Sequence, residues 1–385
     1  MLTLDRAASV SDLRRIARRR LPRFVFDFID GASESEVGEA RNRRAFERLL
    51  LMPRYLRNVE TRDTGVELFG RKWGAPVGIA PTGMCGLVWP GGDLARARSA
   101  VRFNVPFVLS TAASSTIEDV AAIAPDHTWF QLYPVRDTDM AGSLCSRAES
   151  AGIKVLVVTV DVPKHGKRER DIRNGFVLPL RLTPANVADM ARCPAWSMAM
   201  LRAGPPRFAN LEPYMGTGLN LLSRAAFIES QSGGGFDWRK LERVRETWRG
   251  RLVLKGLMAP EDVSAAADQG VDGVIVSNHG GRQLDTGPAP IEMVRGACEA
   301  AGGRLEIMLD SGIRRGADIV RARALGAAFT FVGRAPLYGL AAGGGEAGSD
   351  AALRILIDEI DRALAQLGCT DFSGLEPGHV RESAW

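Results

Sequence analysis

The sequence predicts an α/β fold, a TIM (β/α)8 barrel, over most of its 385 residues. Eight short apolar runs rich in β-branched residues recur along the chain, and a helical pattern follows most of them. Most of these runs start about 20 to 35 residues apart, which is the length of a βα unit. Near-continuous apolar runs such as 155–158 are typical of strands buried on both faces, as in a parallel sheet.

Each run is assigned to one barrel strand in chain order. The strands are predicted at Pro76–Pro81, Pro106–Thr111, Thr128–Tyr133, Val155–Asp161, Leu252–Gly256, Gly273–Asn278, Glu306–Gly312 and Ala328–Arg334. A long insertion at about 176–232 follows the fourth strand, and a helix at Trp238–Trp248 leads into the fifth. We expect a single domain over residues 1–385, with the barrel core at about 76–340.

Residues 1–70 precede the barrel and are predicted to form a helical segment. Apolar spacing indicates short amphipathic helices at Leu13–Arg20 and Phe24–Phe28 and a longer helix at Glu39–Leu50. A hairpin is predicted at Leu56–Phe69 with its turn at 63–65, because Asp-Thr-Gly favours turns. No apolar run follows the arginines of the first helix, which argues against a secretory signal. A transit peptide is a weaker alternative than a surface helix.

The composition restricts the classes of partner. The formal net charge is +5, from 50 Lys and Arg against 45 Asp and Glu. This dispersed excess does not predict nucleic-acid binding, but it suits an anionic small molecule or membrane surface. The five cysteines, an odd number without metal-ligand spacing, predict neither a disulfide framework nor a metal site. This cysteine usage leads us to expect a reducing cytoplasm, and no apolar run of about 18 residues predicts a membrane span.

Polar side chains stand at the C-terminal end of every predicted strand. They are Thr82, Ser110, Gln131, Tyr133, Thr159, Asp161, Lys255, Ser277, His279, Asp310 and Arg334. In a TIM barrel these strand ends form the active-site face. The regularity therefore predicts an enzyme independently of any resemblance.

His279 is the candidate catalytic base among four histidines. It follows the sixth strand, with Arg282 three residues later, and Arg168 follows the fourth strand on the same face. Two arginines beside one histidine predict a carboxylate clamp next to a base, and Asp161 can orient the imidazole. Two histidines without such neighbours are expected at the surface: His127 and His379.

Two further features of this face indicate a bound anion. The segments 310–316 and 333–334 follow the seventh and eighth strands, where barrels commonly bind phosphate. A solvated helix start is the alternative, and the lack of a G-x-G-x-x-G motif gives a Rossmann site no support. Lys255 ends the fifth strand, where it could form a Schiff base or face an anionic cofactor, and spacing does not separate these roles.

At these residues the chain closely resembles the FMN-dependent 2-hydroxy acid oxidase and dehydrogenase family. The likeness spans about 21–375 and rests on motifs in barrel order: Ala80–Gly83, Phe130–Tyr133, Thr159–Asp161, Leu254–Gly256, Ser277–Asp285, Asp310–Gly316 and Gly333-Arg334. The resemblance implies a homo-oligomeric flavoenzyme, expected as a tetramer. It would use FMN to oxidise a mandelate- or lactate-like (S)-2-hydroxy acid to the 2-oxo acid.

The resemblance also implies roles for individual residues. His279 would remove a proton from the substrate α-carbon or hydroxyl with support from Asp161, by a hydride or a carbanion route. The carboxylate would be held by Arg168 and Arg282, and Tyr133 would hydrogen-bond the substrate. Lys255 would face the flavin N1/O2 edge. The residues implied around the isoalloxazine and ribityl chain are Pro81, Thr82, Gly83, Ser110, Gln131, Thr159 and Ser277. Those implied around the ribityl chain and phosphate are Asp310, Gly312, Arg314, Gly333 and Arg334.

Two positions distinguish this chain from the usual family pattern. The substrate-site residue Phe28 stands where the family usually has a tyrosine, so a hydroxyl is missing from the carboxylate site. The loss of one charge-assisted hydrogen bond costs about 1.5–3 kcal/mol. We therefore expect weaker binding of small acids, or a substrate with a bulkier apolar tail. At Gly83 the family's oxidases tend to carry alanine, whereas its mandelate dehydrogenases carry glycine.

The insertion also resembles that of the mandelate dehydrogenases, as does the stretch 83–93. Apolar residues are interleaved with arginines there, which suits docking on an anionic membrane surface and a lid over the site equally. The resemblance implies docking of 177–216, expected on the inner face of the cell membrane. Electrons would then pass to a quinone or another acceptor. A lid over the site is the alternative role of the insertion. Alternative functions are an oxidase that produces hydrogen peroxide, a non-catalytic flavin-binding barrel, and a Schiff-base aldolase that uses Lys255.

Overall fold

The computed structural model describes residues 2–176, 183–215 and 234–383, and eight of its strands close into a parallel barrel. The strands are β1 Val77–Ile79, β2 Phe107–Ser110, β3 Thr128–Leu132, β4 Val155–Thr159, β5 Arg251–Leu257, β6 Gly273–Val276, β7 Glu306–Leu309 and β8 Phe329–Val332. Each pairs with its neighbours in sequence, and β8 pairs with β1. The predicted barrel is confirmed, and most strands are shorter than predicted because their polar C-terminal residues leave the sheet.

Helices cover the outside of the barrel. They are Gly92–Phe103, Ile117–Ile123, Thr138–Ser150, Trp238–Thr247, Pro260–Asp268, Pro290–Ala301, Gly316–Ala324, Arg334–Gly343 and Glu346–Leu367. Several begin at a side-chain cap. The Thr116 side chain accepts a hydrogen bond from the Asp119 N–H, and that of Asp237 accepts one from Lys240. The helix predicted at 238–248 is confirmed to within one residue.

The barrel interior is filled by large apolar side chains. Trp129 and Phe331 lie 5.4 Å apart between ring centroids, and Phe329 lies 5.5 Å from Phe331. Val253 and Ile275 are completely buried in the same cluster. Because these side chains fill the centre, the barrel is a packed core.

A hairpin lies at the N-terminal end of the barrel, but not where it was predicted. Val66–Leu68 pairs with Arg71–Trp73, and the turn is at Phe69-Gly70 instead of 63–65. Both turn residues have positive φ, 53° and 73°, as a two-residue connection of this kind requires. The Asp63 side chain accepts a hydrogen bond from the Gly65 N–H at 2.7 Å, so Asp-Thr-Gly forms a separate local turn.

Three helices precede the barrel, at Val10–Arg20, Arg23–Asp30 and Val37–Glu47. The third was predicted to extend to residue 50, but 49–51 form a strand with Val380–Glu382. Surface exposure was wrongly predicted for His379, which is 1% exposed in the packing beside this strand pair. The other histidine predicted at the surface, His127, is half-buried. Short helical turns complete the described chain: Leu4–Arg6, Cys85–Val88, Glu169–Arg173, Glu212–Tyr214, Phe372–Gly374 and Pro377–His379.

The described part of the insertion consists mainly of two helices, Pro184–Arg192 and Pro194–Ala203. Trp196 is buried there, and its indole N–H donates to the Leu87 carbonyl at 2.9 Å. It therefore belongs to the core and not to an exposed docking face. Residues 177–182 and 216–232 of the predicted insertion lie outside the described residues. Within the described ranges no helix is long and apolar enough to cross a membrane, and no acidic, histidine or cysteine cluster suits a metal. All five cysteines are free.

Candidate active site

The turn after β6 brings His279 to the mouth of the barrel. His279, Gly280 and Gly281 all have left-handed backbone conformations, with φ of 58°, 69° and 74°. The Ser277 hydroxyl accepts a hydrogen bond from the His279 N–H at 3.0 Å, which fixes the start of the turn. The imidazole Nδ1 then lies 2.9 Å from Oδ1 of Asp161, which follows β4. The structure thus brings together the two residues predicted as base and supporting carboxylate.

The charges around this pair favour a neutral imidazole and an ionised carboxylate. Burial lowers the pKa of His279, and the charges of Lys255 and Arg168 add to that effect, so that they outweigh Asp161. Burial would raise the pKa of Asp161, but its interactions with His279 and Lys255, including the hydrogen bond from His279, reverse this effect and leave the pKa below its ordinary value. Nδ1–H therefore donates to Asp161, and Nε2 carries the lone pair of a base.

Residues outside the predicted site hold Asp161 in place. A bulge in β5 gives Gly256 a φ of 111°, and a Cβ atom there would lie 2.5 Å from the Asp161 Cβ. The Gln283 side chain donates to the Asp161 carbonyl at 2.7 Å. Gly256 and Gln283 fall within the motifs quoted above, so the sequence offered a signal for both.

A second supporting contact comes from the N-terminal segment. The side-chain amides of Asn42 and Asn278 exchange hydrogen bonds of 2.8 and 2.7 Å, which tie the turn before His279 to the helix Val37–Glu47. Nothing in the spacing of the sequence predicts this pair.

The two arginines of the predicted clamp lie near His279 but are held differently. Arg282 donates through Nη1 to the carbonyls of Phe28 and Gly31, at 2.8 and 2.7 Å. Burial and the neighbouring cations Arg168 and Arg334 lower the pKa of Arg282, against the opposing charge of Asp171, because a buried cation beside other cations is costly. The Nε of Arg168 is buried and has no hydrogen-bond partner in the described part of the chain. The arrangement therefore suits a ligand carboxylate.

Tyr133 and Phe28 flank the same region. The Tyr133 ring centroid is 6.5 Å from that of His279, and burial, followed by the charge of Asp161, raises the pKa of the Tyr133 hydroxyl. The Phe28 ring lies 4.9 Å from that of Phe176 and 5.5 Å from the Arg282 guanidinium carbon. Phe28 thus forms part of an aromatic wall beside the arginines.

The C-terminal ends of β2 to β4 carry buried polar side chains, two of which have a polar atom without a partner in the part of the chain that the structure describes. Ser110 donates to the Gln131 side-chain carbonyl at 2.9 Å, but the Gln131 amide nitrogen and the Thr159 hydroxyl have no hydrogen-bond partner among the described residues. Buried polar groups are normally paired, so these two indicate a ligand with polar edges. The isoalloxazine of FMN, an aromatic ring system edged with carbonyl and N–H groups, fits them.

Lys255 is buried beside these groups and remains a cation. Its Nζ donates to the Ser277 hydroxyl at 2.9 Å and lies 3.1 Å from Oδ2 of Asp310. Burial would lower the pKa of Lys255, but Asp310 and Asp161 raise it above its ordinary value. A protonated lysine is a poor nucleophile, so this geometry favours the charge-stabilising role over a Schiff base.

The turns after β7 and β8 form the predicted phosphate region. Gly312 has a φ of 85°, and Gly333 caps the helix that begins at Arg334. The Arg334 guanidinium donates to the carbonyls of Ile29, Gly31 and Gly280, which uses three of its five N–H donors. Arg314 donates to the Ile313 carbonyl and lies 3.3 Å from Glu39. Both arginines are held by protein acceptors and keep donors for an anion.

The turn after β1 completes this face. A Cβ atom on Gly333 would lie 3.5 Å from the Thr82 methyl group, so the turns after β1 and β8 are neighbours. A Cβ atom on Gly83 would lie 3.0 Å from that of Ala112, in the loop after β2. Pro81, Thr82 and Gly83 therefore lie beside the other strand ends, and their role in lining the isoalloxazine stays a prediction.

Comparison with known proteins identifies the relatives of this chain. Residues 17–382 match the family described as FMN-dependent dehydrogenase. The chain is 40% identical to (S)-mandelate dehydrogenase of Pseudomonas putida, over 97% of this chain and 93% of that protein. It is 42% identical to a putative L-lactate dehydrogenase of Mycobacterium tuberculosis, over 98% and 90%.

Solved structures give the same result. A crystal structure described as the monotopic membrane protein (S)-mandelate dehydrogenase matches with a TM-score of 0.93 and 40% identity, over 98% of this chain and 100% of that one. A mandelate oxidase matches with a TM-score of 0.82 and 35% identity, over 97% and 98%.

Proposed function

The chain belongs to the FMN-dependent dehydrogenase family, and from this premise we propose that it oxidises an (S)-2-hydroxy acid with an apolar side chain to the 2-oxo acid. One observation carries the proposal. His279, neutral and held at 2.9 Å by Asp161, lies beside the arginines Arg168 and Arg282. A base beside a carboxylate clamp is what oxidation of such an acid requires.

The cofactor is FMN, which supplies the two-electron acceptor for the oxidation. We assign the isoalloxazine and upper ribityl chain to the strand ends and turns carrying Pro81, Thr82, Gly83, Ser110, Gln131, Thr159 and Ser277. Lys255 would place its positive charge at the N1/O2 edge of the ring. We assign the rest of the ribityl chain and the phosphate to Asp310, Gly312, Arg314, Gly333 and Arg334.

Residues of the protein bind the substrate and accept its proton. Arg168 and Arg282 bind the substrate carboxylate, and the Tyr133 hydroxyl hydrogen-bonds the reacting end of the substrate. His279 accepts the proton at Nε2, and the carboxylate of Asp161 compensates the positive charge that develops on the ring. These arginines orient the substrate before the proton is transferred. Such orientation increases the rate because the reacting groups are already in position.

Phe28 supports a substrate with an apolar tail. Its ring packs against Phe176 at 4.9 Å, and Phe176 in turn lies 6.0 Å from Phe24, so the wall is aromatic over several side chains. Burial of an apolar substrate substituent against this aromatic wall favours binding. The wall also lacks the hydroxyl that would bind the carboxylate of small acids. We therefore place mandelate-like acids ahead of glycolate and lactate.

Anaerobic bleaching of the bound flavin tests the reaction. Purified holoenzyme is mixed with glycolate, lactate, mandelate or longer 2-hydroxy acids, and the loss of visible flavin absorbance is followed. We expect mandelate and the larger acids to bleach the flavin fastest. A protein that no acid bleaches would be the non-catalytic flavin-binding barrel, and borohydride trapping of a carbonyl substrate on Lys255 would support the aldolase.

The electron acceptor is a separate part of the proposal. The likeness to a monotopic membrane mandelate dehydrogenase supports a membrane quinone, and Gly83 matches the residue expected for a dehydrogenase. We expect turnover with a soluble quinone analogue to exceed peroxide formation in air by far. Equal rates of peroxide formation and quinone reduction would favour the oxidase.

The two insertion helices supply a docking face for an anionic membrane surface. Three apolar side chains are exposed on them among arginines: Val187 at 53%, Met198 at 49% and Leu201 at 79%. Removal of 177–216 as a whole is a poor test, because the buried Asn210 accepts a hydrogen bond from the Ile117 N–H at 2.9 Å and anchors the segment.

Serine at all three exposed positions is a cleaner test of docking. We expect this variant to lose flotation with vesicles that contain anionic lipid while it keeps FMN. Tyr55→Ser with Leu56→Ser, at two exposed positions outside the insertion, is the matched control. Unchanged flotation of the triple variant would contradict the docking face. The homotetramer and the inner-face location stay predictions, to be checked by light scattering and by protease accessibility in vesicles of known orientation.

A further inference from the structure

An ion pair is completely buried behind the flavin-facing turn. Arg96 and Asp93, on the helix Gly92–Phe103, are both 0% exposed, and Nη2 of Arg96 lies 2.8 Å from Oδ1 of Asp93. No role assigned above uses either residue. A charge in such a place is costly, and apolar side chains of similar volume often serve stability as well as a buried pair does.

The contacts of Arg96 lead to the turn after β1. Nη1 donates to the Thr82 hydroxyl oxygen, and Nη2 lies 2.7 Å from the Cys85 sulfur. That sulfur also lies 3.2 Å from the Thr82 carbonyl and 3.1 Å from its hydroxyl. The guanidinium therefore fixes the Thr82 side chain with its hydroxyl toward the buried helix. The Thr82 methyl group then faces Gly333.

The contacts of Asp93 lead to the loop after β2. Its second carboxylate oxygen accepts a hydrogen bond from the Ser114 N–H at 2.8 Å, and the Ser114 hydroxyl accepts one from the Gly86 N–H at 3.1 Å. The turn and the loop meet where the Met84 N–H donates to the Ala112 carbonyl at 2.9 Å, next to Gly83. One ion pair thus joins two segments of the active-site face.

The pair is not arranged for stability alone. The Nε of Arg96 is buried and has no hydrogen-bond partner among the described residues, so one donor of a desolvated cation is unsatisfied. Its other donors reach the turn that is assigned to the isoalloxazine. Buried ionic groups that give little net stability can still fix a single conformation.

We propose that Arg96, paired with Asp93, is a positioning residue of the flavin site: it holds the turn after β1 through Thr82 and Cys85, while Asp93 holds the loop after β2 through Ser114. The two segments then keep the spacing at Gly83 that receives the ring. The inference rests on the FMN cofactor and not on the identity of the substrate.

The test replaces the pair without leaving a buried charge. In the double variant Arg96→Met with Asp93→Asn, methionine fills the space of the guanidinium and asparagine keeps an acceptor for Ser114. Flavin fluorescence reports the rate at which FMN leaves the holoenzyme, and thermal unfolding reports the stability of the apoprotein. We expect FMN to leave about tenfold faster while the unfolding temperature changes little. Thr82→Val, which keeps the shape but removes the acceptor, should accelerate release similarly, and adding it to the double variant should contribute less than about a further twofold.

The control pair joins the same helix, through Arg102, to the helix Glu346–Leu367. Arg102 contacts Asp350 and Glu346 and is 53% exposed, so Arg102→Met with Asp350→Asn alters an ion pair remote from the turn. FMN release should be unchanged there. The proposal is overturned if the Arg96 double variant releases FMN at the wild-type rate. It is also overturned if the control variants accelerate FMN release equally. If the double variant does not fold, Thr82→Val alone tests the proposal. An unchanged rate of FMN release from that variant overturns the proposal that Arg96 acts through Thr82. No substrate is present, so the result stands apart from any failure of the proposed reaction.

Discussion

Substitution of Asp161 by asparagine tests the catalytic reasoning most directly. The carboxylate lies 2.9 Å from Nδ1 of His279, and the pair is shielded from solvent. A hydrogen bond to a charged group contributes about 1.5–3 kcal/mol, so its loss alone lowers the rate of proton abstraction by about 10- to 150-fold. An asparagine can also present its NH2 group to Nδ1, which would force the proton onto Nε2 and remove the base. We expect a total fall of about 10² to 10⁴ in the rate of flavin reduction.

The assay is anaerobic stopped-flow reduction of the bound flavin by mandelate, with the flavin spectrum as a check that FMN is retained. Asp171→Asn is the matched control, because Asp171 is buried near the same arginines but does not bond His279. Burial, opposed by Arg282 and Arg168, raises the pKa of Asp171. We expect its limiting rate to fall less than about tenfold. An Asp161→Asn enzyme that reduces its flavin within threefold of wild type would refute the assignment of His279 and its partner.

Three further outcomes follow from the site. Phe28→Tyr should lower the KM for glycolate and lactate about tenfold or more by restoring one bond to the carboxylate, and an unchanged KM for every accepted acid would contradict this. Gly256→Ala should lower the unfolding temperature and slow flavin reduction, because its Cβ would collide with Asp161 at 2.5 Å; Gly270→Ala, with φ of 68° and open space, should affect stability alone. Activity should be lost as pH falls through the lowered pKa of His279, and the acid limb of kcat should lie at higher pH than that of kcat/KM. Acid limbs at the same pH for kcat and kcat/KM would contradict this expectation.

The barrel could be predicted from sequence because its strands are buried on both faces and therefore apolar without interruption. The hairpin was misplaced because Asp-Thr-Gly is a stronger local turn signal than Phe69-Gly70, and only the pairing of Val66–Leu68 with Arg71–Trp73 shows which turn closes it. The helix predicted at Glu39–Leu50 extended into the strand Leu49–Leu51 because the partner of that strand lies more than 300 residues away in the sequence. Local patterns carry no information about such pairings.

The active site likewise contains features that the sequence predicts and features that depend on contacts between distant segments. Asp161 and His279 could be predicted to meet because both follow strands of one barrel, and strand ends converge by topology. Arg334 and Arg282 both donate to the Gly31 carbonyl of the N-terminal segment, about 250 to 300 residues away, so nothing near either arginine in the sequence indicates that these donors are used. Sequence spacing could not separate the two possible roles of Lys255, Schiff base or positive charge beside a cofactor. The ion pair with Asp310 favours the second role.

The arrangement of charges couples the strength of the base to the presence of substrate. In the free site Lys255 and Arg168 contribute, after burial, to the low pKa of His279, so the imidazole is neutral but only a weak base. We expect a substrate carboxylate bound to Arg168 and Arg282 to offset part of that positive charge and to raise the pKa of His279 toward its ordinary value. On the proposed mechanism the base would gain strength when the substrate binds, and Asp161 would stabilise the protonated ring. A neutral ligand of the same shape brings no such charge, so the clamp selects acids through the chemistry of the base as well as through binding.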